Sequence, residues 1–236
     1  MVVALPLTFR DATDDDAVVV SELVNTAYRE GDAWYKRPEC VERMDKDGTT
    51  ARELIASDHL GCIIVAEQYQ EDPEQAPTLV GAVHCQWLEG DLGTLPGFPD
   101  TTKLFYFGML SVPQRYGGKG IGKRLTGAAI ERLELEAHAW QREQSQEVSA
   151  VQCGRPSSNT WCPPCSIQID VVTSLGPRKN CLVGFYSAFG FEALGSETPA
   201  WWEVFGVVAD EYMGGKVMVQ RMQKHIVPAA ATKTTC

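Results

Sequence analysis

The stretch LFYFGMLSVPQRYGGKGIGKRL, residues 104–125, is the part of the sequence that decides the fold. Residues 104–112 are mostly apolar and have the length and composition of a central β-strand. Four glycines follow within residues 117–122. Apolar residues then recur every fourth position, as on the buried face of a helix, at Ile121, Leu125, Ala129, Leu133 and Ala137. The stretch therefore predicts a strand, a glycine turn and a helix in succession.

The glycine run predicts a phosphate-binding loop. A loop of this kind presents backbone N–H groups at the positive end of a helix, with no Cβ to obstruct a ligand. A nucleotide P-loop is excluded because Arg124, and not Ser or Thr, follows Lys123. The dinucleotide-binding fingerprint has other glycine spacing and opens the first βα unit, whereas this run lies mid-chain. A tight turn without a ligand is the alternative, but four basic residues flank the glycines: Arg115, Lys119, Lys123 and Arg124.

The flanking sequence predicts further strands and helices on both sides of this unit. Upstream we expect a strand over Leu7–Arg10, a helix opened by Thr13, a second helix opened by the capping box at 50–53, and antiparallel strands over 62–66 and 79–87. Downstream we expect a strand over 167–173, a helix lined by Leu182, Phe185 and Phe189 that stops at Gly190, a strand from Phe191, and a last strand over 216–222. The predicted class is a single α/β domain with a mixed, mostly antiparallel sheet of about six or seven strands flanked by helices.

Composition limits the function classes. The 236 residues include 21 Lys+Arg and 31 Asp+Glu, which gives a net charge of −10. This charge argues against nucleic-acid binding and favours a cationic or amine-bearing partner. We expect one domain over 1–227, with a polar, Cys- and Pro-containing insertion loop over 141–165 and a flexible tail over 228–236.

The sequence also predicts the cellular context. No apolar stretch approaches the ~20 residues that cross a bilayer, and the N-terminal residues do not resemble a secretory signal. The eight cysteines are scattered through a chain that does not need disulfides to fold. We therefore expect a cytoplasmic protein that does not bind membranes.

Two motifs in order resemble one known family. The run LSVPQRYGGKGIGKRL, residues 110–125, looks like the acetyl-CoA motif of the GNAT-type N-acetyltransferases, and NCLVGFYSAFGF, residues 180–191, is similar to that family's second motif. The opening strand and first helix also resemble the family, so the resemblance spans nearly the whole chain. The first motif fits in two registers. One places Gly117 at the usual Gln/Arg position, and the other places Arg115 there.

The resemblance implies acetyl-CoA as co-substrate and an amine as acceptor. It implies that Leu110 and Val112 pair with the pantetheine arm, and that an N–H near Met109 or Leu110 stabilises the oxyanion. It implies that Tyr186 is the general acid for the CoA thiolate. The implied cofactor-binding residues also include those of the loop and one on the second motif: Arg115, Gly117, Gly118, Lys119, Gly120, Ile121, Gly122, Lys123 and Asn180.

The general base and the acceptor are less clear from the sequence. His84 is a candidate base, although a lone His on a strand is more often structural. Glu30 and Asp32, beside Trp34 and Tyr35, either line an acceptor pocket or are simply solvated. We expect a small amine as the acceptor, and homodimers are common among proteins that resemble this one.

The remaining motif, Trp161-Cys-Pro-Pro-Cys165, resembles a redox dithiol but precedes a strand rather than opening a helix. No His lies at zinc-finger spacing from Cys153, Cys162 or Cys165, so we expect an inert loop and no metal. Two alternatives to acetyl transfer stay open. One is an acyl-CoA sensor without turnover, and the other is a thiol or metal protein that uses this loop.

Overall fold

The computed structural model describes residues 6–30, 44–56, 61–70, 72, 74–88, 103–151, 165–172, 179–195, 198–199 and 218–226. These residues form four helices and eight strands. The helices are α1 (Ala17–Glu30), α2 (Thr49–Ala56), α3 (Ile121–Val151) and α4 (Lys179–Ser187). The strands are β1 (Leu7–Asp11), β2 (Cys62–Gln68), β3 (Thr78–Leu88), β4 (Lys103–Ser111), β5 (Cys165–Val172), β6 (Glu192–Ala193), β7 (Thr198–Pro199) and β8 (Met218–Ile226).

All eight strands belong to one sheet. Its order is β1-β2-β3-β4-β5-β8-β6, and β7 also pairs with β8. The pair β4–β5 is parallel, and every other pairing among these strands is antiparallel. The parallel pair requires a crossover, which α3 supplies. The predicted class, a mixed and mostly antiparallel sheet flanked by helices, is confirmed.

Apolar side chains pack on both faces of the sheet. Alternation along β2 sends Ile63 and Val65 to the core formed with α1 and α2, and sends Ile64 and Ala66 to the core formed with α3 and α4. The predicted stripe of α3 is buried at all five positions. The sheet is therefore the middle layer between two pairs of helices.

Polar side chains fix the N-terminal half. Arg10 donates hydrogen bonds to Asp16 at 2.6 and 3.0 Å and to Glu67 at 2.8 Å, which ties β1 to β2 and to the 3-10 turn at Asp14–Asp16. Thr13 caps this turn by a capping box with Asp16, so the predicted cap is confirmed. Buried Asn25 bonds both backbone groups of Met44, at 2.8 and 3.0 Å, and so holds α1 against the segment before α2.

Some predicted boundaries are wrong. The stretch 141–151 belongs to α3 and not to a loop, because the first residues there that break helices are Gly154 and Pro156. Thr50 lies inside α2, which begins at Thr49, so it is not the cap. The last strand runs to Ile226 rather than Met222. Leu182 is exposed on α4. Residues 152–164 and the tail 228–236 lie outside the described residues.

Within the described ranges, no helix is both long enough and apolar enough to span a bilayer.

Candidate functional site

A gap opens in the middle of the sheet, between β4 and β5. The two strands pair only from Lys103 opposite Cys165 to Tyr106 opposite Gln168. β4 then continues for five residues and β5 for four, but no further pairing joins them. The strands therefore diverge towards the end of the sheet where β4 leads into the glycine loop. The backbone of β4 beyond Tyr106 has a free hydrogen-bonding edge on this side.

β4 carries a β-bulge at the gap. Ala82 of β3 pairs with Ser111 and His84 pairs with Gly108, so Val83 alone faces both Met109 and Leu110. Met109 has a φ of +50°, a left-handed conformation that side chains rarely adopt. The hydroxyl of Ser111 donates a 2.9 Å hydrogen bond to the carbonyl of Met109. A bulge leaves backbone groups out of the regular ladder, at the position where the sequence led us to expect an oxyanion-stabilising N–H.

The glycine loop lies between the end of β4 and the start of α3. Gly118 and Gly120 have φ values of +72° and +74°, and a Cβ at either position would meet no atom within 4 Å. Glycine is thus required by backbone conformation, while the space beside the loop is open. The N–H groups of the first turn of α3 have no partners within the helix and carry its positive dipole end. This arrangement suits a bound phosphate.

Two of the four flanking basic residues have partners in the protein. Arg124 donates a 2.9 Å hydrogen bond to the carbonyl of Leu7 and lies over the ring of Phe9, so it joins α3 to β1. The guanidinium of Arg115 lies 4.9 Å from the centroid of the Tyr116 ring. Lys119 and Lys123 are exposed at the loop. Lys119 and Lys123 are therefore the two flanking cations that can interact with a phosphate at the open glycines.

Tyr186 lies on α4 within a group of aromatic rings. Its ring centroid is 6.1 Å from that of Phe107, 5.0 Å from Phe185 and 6.3 Å from Phe191. Burial, together with the nearby phenol of Tyr28, raises the pKa of Tyr186 to about 12. Tyr28 is on α1, across the sheet from α4. The charge effect of Tyr28 on Tyr186 therefore acts between the two helix layers.

His84 lies on the other face of the sheet. It is buried at 7% exposure and pairs with Ile63 of β2 and Gly108 of β4. Its partner Ile63 belongs to the core under α1 and α2, whereas Tyr186 packs on the core under α3 and α4. The structure therefore does not bring His84 and Tyr186 together on one face.

Sequence reasoning gave no site role to Tyr28 or Tyr106. The Tyr106 ring covers Gly108, since a Cβ on that glycine would lie 3.0 Å from the ring. The glycine makes room for a large ring on the α1/α2 face, next to the strand position of His84. The signal available in the sequence is a tyrosine two residues before a strand glycine. Tyrosines are so common in strands that this pattern does not identify a site residue.

Solved structures share this architecture. The ribosomal-protein-S18-alanine N-acetyltransferase from Escherichia coli superposes with a TM-score of 0.52 at 10% identity, over 96% of this chain and 98% of that one. NAA60 from Arabidopsis thaliana, in complex with a bisubstrate analogue, superposes with a TM-score of 0.53 at 13% identity, over 94% and 100%. The chain has the GNAT fold. No protein-family model and no curated protein sequence matches it.

In this GNAT fold the predicted site residues fall into three positions. Leu110 and Val112 lie at and just beyond the end of β4 and pack partly against the main core. Residues 117–123 surround the start of α3, and Tyr186 lies on α4. Asn180 is the second residue of α4, but the structure does not describe its side chain.

Glu30 has a defined partner. Its carboxylate accepts a 2.7 Å hydrogen bond from the Gln114 N–H, and its carbonyl accepts one from the Gln114 side chain. Glu30 thus ties the end of α1 to the turn before the glycine loop. Asp32, Trp34 and Tyr35 lie outside the described residues.

The cysteine motif is divided by the structure. Cys165 is the buried first residue of β5, so the predicted loop ends before it. Cys153 and Cys162 lie outside the described residues. Among the residues that are described, no group of three or more potential metal ligands comes together.

Proposed function

We propose that this protein is an acetyl-CoA-dependent N-acetyltransferase that acts on an amine. The observation that carries the proposal is the open glycine loop at the diverging end of β4 and β5. A pyrophosphate needs several N–H donors and unobstructed space. The start of α3 supports the first requirement, and the open space beside Gly118 and Gly120 supports the second. Lys119 and Lys123 supply positive charge beside that space.

The pantetheine arm is proposed to lie along the free edge of β4. Backbone groups near Leu110 and Val112 hydrogen-bond to its amides, as a neighbouring strand would. This edge leads directly from the glycine loop towards the Met109 bulge. The thioester then lies at the gap in the sheet, where groups from both faces are within reach. Binding both substrates in this gap supplies much of the catalysis by positioning.

The chemistry is proposed to be direct attack in a ternary complex. A neutral amine attacks the thioester carbonyl, and a backbone N–H at the bulge stabilises the charge that develops on the oxygen. Tyr186 donates to the departing CoA sulfur. With a pKa of about 12 the phenol keeps its proton at any working pH, so the donor is always present.

His84 remains the candidate for the base that neutralises the acceptor ammonium. It lies on the α1/α2 face with Tyr106 and Tyr28, opposite to Tyr186. We propose that the acceptor enters from this face and the CoA sulfur leaves towards α4. Because the acceptor and the CoA sulfur then lie on opposite sides of the sheet, His84 can take a proton from the acceptor while Tyr186 supplies one to the sulfur.

The acceptor is proposed to be cationic, because the net charge of −10 attracts ammonium groups. We favour a small molecule. The fold neighbour named as a ribosomal-protein-S18-alanine N-acetyltransferase makes a peptide N-terminus the second candidate.

The test is a screen of purified protein with acetyl-CoA and a panel of amines that includes polyamines, arylamines and short peptides, read by mass spectrometry of the acceptor. An acetylated amine whose formation depends on acetyl-CoA supports the proposal. Acetyl-CoA binding without product in any acceptor class favours the alternative of a sensor without turnover. A protein that neither binds nor turns over acetyl-CoA contradicts both.

A further inference from the structure

Two cysteines that have no assigned role in the site described above lie directly opposite each other on neighbouring strands. Cys62 begins β2 and pairs with Cys85 of β3 in the antiparallel register. Both side chains face the core under α3. Cys85 is fully buried, while Cys62 is partly exposed. Cys62 is thus the more accessible of the two thiols.

The backbone geometry suits a bond between the two sulfurs. Directly opposed residues in antiparallel strands have Cα atoms about 4.5–5.5 Å apart, and a disulfide accepts Cα separations of about 4.4–6.8 Å. Gly61 permits this close approach, because a Cβ there would lie 1.8 Å from the carbonyl oxygen of Cys85. The register of the two strands is therefore compatible with a disulfide between Cys62 and Cys85.

Three charged groups, Arg132, Asp11 and Glu136, lie close enough to Cys62 to affect its pKa. Arg132 of α3 lies 3.4 Å from a carboxylate oxygen of Asp11 on β1 and 3.3 Å from one of Glu136 one turn further along α3. Its Nε is buried and has no hydrogen-bond partner among the described residues. The charge of this guanidinium favours a thiolate at Cys62, whereas the two carboxylates oppose it.

The two thiols also differ in acidity. A hydrogen bond from the Cys85 thiol lowers the pKa of Cys62, and Arg132 acts in the same direction, while burial, Asp11 and Glu136 oppose the shift. The same hydrogen bond and burial raise the pKa of Cys85. The more acidic sulfur is therefore also the more exposed one.

We propose that Cys62 and Cys85 form a reversible redox pair, in which Cys62 reacts with peroxide and Cys85 then closes a cross-strand disulfide. Nothing in this pair belongs to the acetyl-CoA site, so the proposal is independent of acetyl transfer.

The reaction balances in two steps. The Cys62 thiolate attacks hydrogen peroxide, an S–O bond forms as the O–O bond breaks, and hydroxide leaves with a proton as water. Cys85 then attacks the sulfur of the Cys62 sulfenic acid, and the S–S bond forms as the S–O bond breaks. The released hydroxide takes the Cys85 proton as a second water. Two thiols lose two electrons, and a dithiol reductant reverses the change.

The sequence offers a direct test. Trypsin cuts after Arg52 and next after Lys103, and peptide 53–103 contains Cys62, Cys85 and no other cysteine. The reduced full chain is treated with hydrogen peroxide, denatured, alkylated and digested. We expect this peptide to become lighter by two hydrogen atoms and resistant to alkylation before the other cysteine peptides react, and dithiothreitol to restore double alkylation. A peptide that stays doubly alkylated while other cysteines oxidise would overturn the proposal.

Variants test which cysteine reacts first and what Arg132 contributes to the reaction. In Cys85→Ser, a sulfenic-acid probe labels Cys62, whereas Cys62→Ser leaves Cys85 unlabelled; the reverse pattern overturns the assignment of the nucleophile.

Arg132→Gln slows disulfide formation by about threefold to tenfold. Arg142→Gln, an exposed arginine further along α3, is the matched control and keeps the wild-type rate. Equal rates in both arginine variants would overturn the role of Arg132.

Discussion

Replacing Tyr186 with Phe removes one hydroxyl from the candidate site and leaves its ring in place. The ring contacts with Phe107, Phe185 and Phe191 do not involve that hydroxyl. We therefore expect the free energy of unfolding to change by less than about 1 kcal/mol, and the affinity for acetyl-CoA to stay close to that of the wild type. A loss of activity in this variant then reports on the chemical step.

The size of that loss follows from the acidity of the phenol. A CoA thiol has an ordinary pKa near ~8.5, and Tyr186 has a pKa of about 12. Complete proton transfer to the thiolate is uphill by about 3.5 pKa units, or about 5 kcal/mol. Tyr186 therefore acts mainly through a hydrogen bond to the developing charge. Such a bond contributes about 1.5–3 kcal/mol, so kcat should fall about 10- to 100-fold.

The assay is steady-state acetyl transfer with the best amine from the screen, with KM for acetyl-CoA measured in parallel. Tyr69→Phe is the matched control, because it removes a hydroxyl from an exposed tyrosine just after β2. We expect wild-type kcat in the control and no falling limb from Tyr186 ionisation below about pH 10, given its raised pKa. Wild-type kcat in Tyr186→Phe would refute the assignment.

Three further changes test other parts of the structure. Gly118→Ala puts a side chain at a φ of +72° beside open space, so we expect it to lower the free energy of unfolding by about 1–2 kcal/mol and the acetyl-CoA affinity, measured by calorimetry, at least tenfold. The control Gly127→Ala, in α3, should keep the wild-type affinity. Equal affinities in the two variants would contradict a phosphate role for the loop. Asp16→Asn should lower the free energy of unfolding by about 1–2 kcal/mol at pH 7 in urea titrations, after allowance for solvent screening. The hydrogen bond from Arg10 lowers the Asp16 pKa from 3.8 to about 2, so this contribution is present above pH 3.8 and lost as pH falls through 2; a difference that persists there would contradict it. Asn25→Ala removes the hydrogen-bond partner of the buried N–H and C=O of Met44, so we expect the free energy of unfolding to fall by about 2–4 kcal/mol. An unchanged urea midpoint would disprove this expectation.

Local sequence patterns predicted the elements that carry the site. The apolar run before the glycines became β4, the fourfold spacing from Ile121 became the buried face of α3, and Gly190 ends the turn after α4 with a φ of +86°. These features depend on residues close together in the sequence. The periodicity of apolar residues and the conformational preference of glycine are therefore sufficient to predict these elements.

The geometry that makes the site was not predictable in the same way. The Met109 bulge and the divergence of β4 from β5 are set by pairing with distant strands, and Met has no preference for positive φ that would mark the place. The charge effect of Tyr28 on Tyr186 likewise acts between α1 and α4, which are far apart in the sequence. The end of α3 is polar, which is typical of a loop, but Gln, Glu and Arg have high helix propensity and the segment is helical.

The most direct test of the central claim is calorimetric titration of the purified protein with acetyl-CoA, run beside the same titration with CoA that lacks the 3′-phosphate. Gly118→Ala and Gly127→Ala are titrated under the same conditions. The account predicts binding of one acetyl-CoA per chain, weakened in Gly118→Ala and unchanged in Gly127→Ala. No binding to the folded wild-type protein, or equal binding to both variants, would contradict the claim that the glycine loop after β4 holds the pyrophosphate of acetyl-CoA.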